Sequence, residues 1–328
     1  MTLRPVRLEP QFVPRIWGAR NLAPLFPEKV SLREPVGEVW LTGNECRFAD
    51  GPFAGQRLGD AWPRMSDEWA GNRARRHEPF PVLAKFLFPA EKLSVQVHPD
   101  DDYAMRHETA TGGTGKTEMW YVVSAQPGAE VRVGLKPEVN AEKFRAAIAN
   151  NSPEDLLERI PVNSGDAIFV PSKTVHTIGR GMVLCEIQQN SDITYRVFDF
   201  NRRDPNGNLR ELHIEKAVDV IRFGEQLGGR VTPIEHQDEN AQLSVLVECP
   251  YFSVVRHVFA TTQYFVKPGG RLELIIVLGG GGTLHTQPGG AVVEYSCSQA
   301  WLVPAALRDC IYEPKETTTL LRVSVPYA

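Results

Sequence analysis

The feature of this sequence that most constrains its fold is the short length of its apolar stretches, which Gly and Pro interrupt throughout. The 328 residues include 27 Gly and 25 Pro. Between them lie stretches such as "KLSVQVH" (92–98), "EMWYVV" (118–123) and "MVLCEIQQ" (182–189), which are rich in β-branched and aromatic residues. Short stretches of this kind, bounded by turn residues, are typical of strands in β-sandwiches and β-barrels. The pattern therefore predicts a mainly β protein with a few helices.

Helical patterning is confined to two segments. "NAEKFRAAIANNSPEDLLERI" begins at Asn140, a residue type suited to a helix N-cap, and "LHIEKAVDVIRF" (212–223) is the second predicted helix.

The polar stretch "IEHQDENAQ" (234–242) has no core-forming pattern, so we place a boundary there, between domains 1–240 and 241–328. Further strand-like stretches are 81–88, 129–135 and 166–171 in the first domain and "YFSVVRHVFA", "LELIIVLG", "AVVEYS", "QAWLVP" and "TTLLRVSV" in the second.

Composition and charge exclude several classes of function. A net charge of -4 gives no general attraction to nucleic acid or to an anionic membrane, so any phosphate ligand must be held by local Lys or Arg. No apolar run approaches membrane-spanning length, and "MTLRPVRLEPQFVPRIW" lacks the apolar core of a signal peptide. The cysteines are scattered without C-x-x-C spacing, which favours reduced thiols and a cytoplasmic location. They are Cys46, Cys185, Cys249, Cys297 and Cys310.

The Gly-rich stretch "TGGTGKTEMWYVV" (111–123) looks like a nucleotide-binding P-loop, but its spacing differs. A P-loop needs a Gly five residues before its second Gly, and counting back from Gly115 gives Ala110. The residues that follow predict a strand, whereas a P-loop opens a helix. The stretch is therefore a turn that leads into a strand carrying Lys116 and Glu118.

One polar face on an otherwise apolar strand predicts a lined cavity. In "LSVQVHPDD", alternation places Ser94, Gln96 and His98 on the same side. Together with Glu118, and with His176 after another strand, this set offers two imidazoles, a carboxylate and an amide oxygen. Such ligands suit zinc or another divalent metal. The alternative is a polar barrel mouth in which the two His only form hydrogen bonds.

A third polar face lies in "LCEIQQNSDITYRVFDF" (184–200). Glu186, Gln188 and Asn190 alternate on one side of the predicted strand. A carboxylate inside a barrel is costly unless it is paired or functional. Arg196 follows a polar turn and can reach a phosphate with its planar fork, although a structural Glu186–Arg196 ion pair explains the same residues.

An imperfect internal repeat connects the two halves of the chain. Residues 163–178 resemble residues 295–311, because each contains a strand that ends in Val-Pro. The alignment sets His176 opposite Asp309, and His285 in the second half has no ligand partner at close spacing. We therefore expect two related β-barrels, of which only the first binds metal.

Several long stretches resemble the type I mannose-6-phosphate isomerases, in particular their shorter bacterial form. They are "KFLFPAEKLSVQVHPDD", "GKTEMWYV", "VPSKTVHTIGRG" and "EIQQNSDITYRVFDFNRRDPNGNLRELHIEKAVDVI". "RIWGARNL" resembles the family's N-terminal motif, with Ala19 where Gly is usual. The resemblance covers about residues 10–225 and implies two cupin (jelly-roll) barrels with one zinc ion per chain. It does not extend to the C-terminal third.

The resemblance also implies roles for individual residues. It puts Gln96, His98, Glu118 and His176 at the zinc ligands, and Arg196 at the family's catalytic arginine. Glu186 corresponds to a carboxylate proposed as the base in longer relatives, and Ser94 and Lys116 correspond to residues that line the substrate pocket. The remaining histidines are expected at structural or surface positions, with His107 the strongest candidate among them for the pocket.

The implied reaction interconverts mannose 6-phosphate and fructose 6-phosphate through a cis-enediol. We assign Glu186 as the base, while Arg196 and Lys116 are both candidates for binding phosphate or stabilising the enediolate. Alternatives are an iron-dependent cupin oxygenase, a non-catalytic sugar-phosphate-binding cupin and an isomerase of broader specificity. We expect no nucleic acid or membrane partner, and the sequence names no protein partner.

Overall fold

The computed structural model describes residues 3–204, 206–238, 241–267, 270–286 and 290–325. Within these residues the strands form four β-sheets, here numbered by their order of stacking. Sheet 1 contains, in spatial order, β12 (Tyr195–Phe198), β5 (Val95–Val97), β10 (His176–Ile178), β7 (Glu130–Leu135) and β8 (Leu157–Pro161). Sheet 2 contains β13 (Gly229–Arg230), β9 (Ala167–Val170), β6 (Glu118–Ala125), β11 (Met182–Gln189), β4 (Val82–Leu87), β3 (Val36–Trp40) and β2 (Gln11–Ala19).

The other two sheets are formed mainly by the C-terminal third of the chain. Sheet 3 contains β1 (Val6–Leu8), β21 (Ala300–Val303), β18 (Glu273–Gly279), β23 (Thr318–Ser324), β16 (Ser253–Phe259), β15 (Ala241–Glu248) and β14 (Ile234–Asp238). Sheet 4 contains β17 (Gln263–Val266), β22 (Asp309–Pro314), β19 (Gly281–Thr286) and β20 (Val292–Ser296). This composition confirms the prediction of a mainly β protein.

The helices of the described residues are short. They are α1 (Leu58–Ala61), α2 (Asp67–Ala70), α3 (Asp101–His107), α4 (Ala141–Ala149) and α5 (Ile214–Val220). Asn140 caps α4 as predicted, because its side chain accepts a hydrogen bond of 2.9 Å from the Lys143 backbone N–H. Helix α4 ends at Ala149 and is therefore shorter than the segment predicted to be helical, whose last residues form part of β8. None of these helices has the length and apolar character needed to span a membrane.

Strand alternation explains how the sheets stack. In β6, Trp120 and Val122 join a core with residues of sheet 1, whereas Met119 and Tyr121 join a core with residues of sheet 3. Sheets 1 and 2 thus enclose the first barrel. Sheets 3 and 4 enclose the second barrel around a separate core that includes Ile275. The two barrels pack back to back, because sheets 2 and 3 share one apolar core.

The predicted repeat has a structural counterpart. In the first barrel β9 ends at Val170 and His176 is the first residue of β10; in the second, β21 ends at Val303 and Asp309 is the first residue of β22. The equivalent positions therefore hold a histidine, His176, in the first barrel and an aspartate, Asp309, in the second.

The polar stretch at the expected boundary is not an irregular linker. Residues Ile234–Asp238 form edge strand β14, which pairs with β15. The side chains of residues 234–237 are all exposed, so this edge strand needs no apolar pattern. In addition, β1 pairs with β21, so a segment near the N-terminus belongs to the second barrel's sheet.

Candidate active site

A cavity of about 500 Å³ opens from the interior of the first barrel. Sheet 1 contributes β5 and β12 to its walls, and sheet 2 contributes β3, β4 and β11. The cavity brings together residues that are up to about 200 positions apart in the sequence. Its polar lining residues are Arg15, Glu38, Lys85, Ser94, Gln96, Lys116, Glu186, Asp192, Thr194, Arg196, Arg210 and His213.

Beside this cavity lies a set of three buried ligand-type side chains. One nitrogen or oxygen atom from each of His98, Glu118 and His176 lies within 4.8 Å of the others. His98 Nδ1 lies 2.8 Å from the Ile193 carbonyl oxygen, and His176 Nδ1 lies 2.9 Å from the Thr174 carbonyl oxygen. These carbonyls accept the Nδ1 protons, so each Nε2 carries a lone pair, which faces Lys116 Nζ in His98 and the Gln96 side-chain amide in His176. Histidine ligands of metals commonly have this arrangement.

Burial fixes the protonation of this set. Burial lowers the pKa of His98 well below its usual value of 6.5, and the Lys116 ammonium lowers it further. Burial also lowers the pKa of His176. For Glu118, burial opposes ionisation, but Lys116 and the imidazoles hold its pKa below the usual 4.5. Two neutral imidazoles and an ionised carboxylate are the forms that bind a divalent metal.

Gln96 supplies a fourth polar group to the set. It lies opposite His176 in the pairing of β5 with β10, and its Nε2 is 3.2 Å from His176 Nε2. Its Oε1 accepts a hydrogen bond of 3.0 Å from the Ser94 hydroxyl. A half-turn of the side-chain amide would direct Oε1 toward the imidazoles. The imidazole nitrogens, the carboxylate and the amide oxygen would then be the donors that hold a zinc ion.

Lys116 reaches the same centre from the Gly-rich turn. The turn uses left-handed backbone at Gly112 (φ +94°) and Gly113 (φ +62°), and β6 begins only at Glu118. Lys116 therefore precedes the strand instead of lying in it. Its Nζ is 2.8 Å from Glu118 Oε2 and 3.2 Å from His98 Nε2. A strand follows the turn as predicted, which is not the context of a P-loop.

Glu186 lies deeper in the barrel and is paired with a lysine that the sequence analysis missed. Lys85 on β4 is directly opposite Glu186 on β11, and its Nζ is 3.0 Å from Glu186 Oε1. Burial raises the pKa of Glu186, and Lys85 offsets only part of this effect. The sequence carried a signal for Lys85, because it stands alone in the apolar strand "PVLAKFLF".

Arg196 lies at the wall of the cavity near a second arginine. Its Nη1 donates a hydrogen bond of 3.0 Å to the Glu211 carbonyl, and its Nε is buried without a hydrogen-bond partner among the described residues. Burial and neighbouring Arg210 lower its pKa. The alternative of a Glu186–Arg196 ion pair is wrong, because the ion pairs of Glu186 in the described residues are with Lys85 and Lys116.

The other histidines are not part of this centre. His107, the strongest pocket candidate among them, is exposed on α3, where its ring stacks on Tyr103 at 4.3 Å, and it does not line the cavity. His285 lies on the outer face of sheet 4, 3.1 Å from Glu313. Within the described parts of the second barrel, no His, Cys, Asp and Glu side chains form a group of metal-ligand geometry.

The fold and the site together define a bicupin protein that has, within its described residues, one metal-ligand set, placed beside a cavity lined by lysine, arginine and carboxylate groups. Residues 6–119 match the family model described as the catalytic domain of type I phosphomannose isomerase. The chain is 38% identical over 261 residues to mannose-6-phosphate isomerase ManA of Bacillus subtilis, covering 77% of this chain and 79% of the relative. The chain belongs to the type I phosphomannose isomerase family.

Further relatives agree with this family. The mannose-6-phosphate isomerase of Streptococcus mutans is 37% identical over 256 residues, covering 77% of this chain and 78% of the relative. The crystal structure of the Bacillus subtilis enzyme superposes with a TM-score of 0.86 at 30% identity and covers 98% of this chain and 99% of its own. A zinc-bound mannose 6-phosphate isomerase structure shares the fold, with a TM-score of 0.74 at 16% identity over 97% of this chain and 98% of its own.

Proposed function

We propose that this protein is a metal-dependent aldose–ketose isomerase that interconverts mannose 6-phosphate and fructose 6-phosphate through a cis-enediol. The observation that carries the proposal is the proximity of one metal-ligand set to a buried carboxylate, Glu186, with Lys116 between them. Lys116 Nζ is 2.8 Å from Glu118 Oε2 and 3.8 Å from Glu186 Oε1. The family membership supports this reaction over an iron-dependent oxygenase or a non-catalytic binding protein.

The metal is zinc, one ion per chain, held by Gln96, His98, Glu118 and His176. The mixed nitrogen and oxygen donors and the neutral imidazoles support this choice, as does the zinc-bound structure of the same fold. When bound, zinc supplies an electrophile for the substrate's O1 and O2 oxygens. The second barrel acts as a scaffold without metal.

Glu186 is the base of the reaction. Its carboxylate removes the proton from C2 of the open-chain aldose and returns it to C1, while a proton moves between O1 and O2. Its raised pKa makes it a stronger base than an exposed carboxylate. Lys85, 3.0 Å away, holds the carboxylate in place and limits the rise of its pKa.

Lys116 and Arg196 have different roles in the reaction. Lys116 is almost fully buried between two carboxylates, so we assign it to the negative charge that develops on the enediolate oxygens. Arg196 lies farther out, beside Arg210, and its buried Nε lacks a hydrogen-bond partner in the described residues. We assign Arg196 to the substrate phosphate, because a planar guanidinium matches phosphate oxygens. Ser94 lines the pocket and holds the Gln96 amide.

The domain division into 1–240 and 241–328 is part of the proposal, with β1 and β14 assigned to the sheet of the second domain. The location is cytoplasmic, since the five cysteines form no disulfide in the described residues.

A coupled assay tests the proposed function. Purified protein is supplied with mannose 6-phosphate, and fructose 6-phosphate is measured through a coupling enzyme; parallel samples contain glucose 6-phosphate or exclude oxygen. We expect fructose 6-phosphate from mannose 6-phosphate at the same rate with and without oxygen. Absence of turnover in zinc-loaded protein would reject the isomerase, and a requirement for oxygen would favour the oxygenase. Comparable turnover of glucose 6-phosphate would indicate broader specificity.

A further inference from the structure

A row of alternating charges extends from the metal-ligand set through the first barrel. Glu118 pairs with Lys116, and Lys116 lies 3.8 Å from Glu186. Glu186 pairs with Lys85, and Lys85 Nζ lies 3.8 Å from Oε2 of Glu38 on β3. The row thus continues beyond the proposed base to a carboxylate that the proposed reaction does not use.

Glu38 is buried and its two oxygens are fully engaged. It is 7% exposed. Arg15 donates to both oxygens, with Nε 2.9 Å from Oε1 and Nη2 3.2 Å from Oε2. The Trp40 indole N–H donates to Oε2 at 2.7 Å. Three N–H donors and Lys85 thus hold this carboxylate firmly at the wall of the cavity, so its position suits an indirect role.

Lys85 depends on Glu38 for its charge balance. Its side chain is 4% exposed, and its ion pairs in the described residues are with Glu38 and Glu186. Asp192 also contributes to the field at Lys85, and Lys116 is the next cation along the row. Its Nζ lies 3.0 Å from Glu186 and 3.8 Å from Glu38, so the two carboxylates together offset the cost of burying its charge.

We propose that Glu38 is a positioning residue that acts through Lys85 on Glu186. Glu38, anchored by Arg15 and Trp40, holds the Lys85 ammonium between two carboxylates. Lys85, held in this way, orients the Glu186 carboxylate through its contact of 3.0 Å. The inference rests on the proposed role of Glu186. Members of one ion-pair network typically couple by the equivalent of a few-fold to about 100-fold.

A double-mutant cycle tests this inference with Glu38→Gln, Lys85→Met and the double variant, using zinc-loaded full-length protein. We expect Glu38→Gln to lower kcat by about tenfold or more, with little change in KM or in zinc content. In the Lys85→Met background the same substitution should have no further effect on kcat, because Glu38 acts only through Lys85. An equal effect in both backgrounds would overturn the inference.

A matched control separates positioning from loss of stability. Glu273 in the second barrel is also buried and also receives two guanidinium nitrogens, from Arg322, at 2.8 and 3.2 Å. Glu273→Gln should lower Tm as Glu38→Gln does while leaving kcat unchanged. If Glu38→Gln does not fold, Glu38→Asp replaces it, because it retains the charge; we expect a smaller loss of kcat that also disappears in the Lys85→Met background.

The outcomes distinguish the inference from the proposed function. If Glu186→Gln turns over normally, the base assignment fails together with the inference. If Glu186→Gln is inactive and both Glu38 variants keep wild-type kcat, the base assignment stands and the role of Glu38 is overturned.

Discussion

Replacing Lys116 with Met removes the charge at the centre of the proposed site while retaining much of the aliphatic stem. The Nζ atom of Lys116 lies 2.8 Å from Glu118 Oε2, 3.2 Å from His98 Nε2 and 3.8 Å from Glu186 Oε1. The side chain is 4% exposed, so water cannot take over its role. The substitution should therefore affect the reaction directly, through the charge that develops on the substrate oxygens.

The magnitude follows from the interaction that is lost. A hydrogen bond to a charged group contributes about 1.5–3 kcal/mol. Losing it in the transition state should lower kcat/KM by about ten- to a hundredfold. The loss of positive charge should also raise the pKa of Glu186 further, because Lys116 is one of the cations that lower it. The acid side of the pH–rate profile should therefore move to higher pH in the variant.

The assay is the coupled measurement of fructose 6-phosphate across pH, with zinc measured on the same samples. Lys267→Met is the matched control, since Lys267 is a buried lysine of the second barrel that donates to two backbone carbonyls at 2.6 Å. It should retain wild-type kcat/KM. Normal turnover by Lys116→Met would refute the assignment. Loss of zinc together with activity would show that Lys116 supports the ligand set instead.

Glu186→Gln should slow turnover by on the order of 10² or more while zinc and substrate still bind; near-normal turnover would move the base elsewhere. Elemental analysis should find one zinc per chain and almost none in His98→Ala, whereas two tightly bound ions would contradict the single site. Cations lower the pKa of Glu38 from 4.5 to about 2 against the effect of burial. Its ionisation should thus stabilise the fold by about 3 kcal/mol above pH 4.5, and this contribution should disappear as the pH falls toward 2. Denaturant unfolding should show a smaller loss over this range in Glu38→Gln; an unchanged pH dependence would argue against the shift.

The ligand-type residues were accessible from the sequence because strand alternation is local. Ser94, Gln96 and His98 share a face whatever strands lie beside them. The ligand types of Glu118 and His176 then suggested one metal set, and the resemblance assigned this set to zinc. In the structure these residues come from three strands of two sheets, and the pairing of β5 with β10 sets Gln96 against His176.

The charged row could not be predicted because it depends on non-local pairing. Lys85 and Glu186 are about 100 residues apart and meet only through the register of β4 with β11. Glu38 joins them because β3 lies beside β4. Each of these residues appears in the sequence as a single charge in an apolar strand. A single charged residue in an apolar strand indicates that it has a partner of opposite charge in the interior, but it does not identify that partner.

The edge strand in the polar stretch 234–242 could not be predicted for a related reason. An edge strand with solvent on its outer side does not require an apolar pattern. The pairing of β1 with β21 was equally hidden, since it joins segments almost 300 residues apart.

Removal and return of zinc tests the central claim most directly. Mannose 6-phosphate turnover is measured before treatment with a chelator, after removal of the metal, and after addition of one equivalent of zinc per chain. We expect activity to be lost with the metal and restored by the single equivalent. Full activity in protein shown to contain no metal would contradict the assignment of Gln96, His98, Glu118 and His176 as the centre of catalysis.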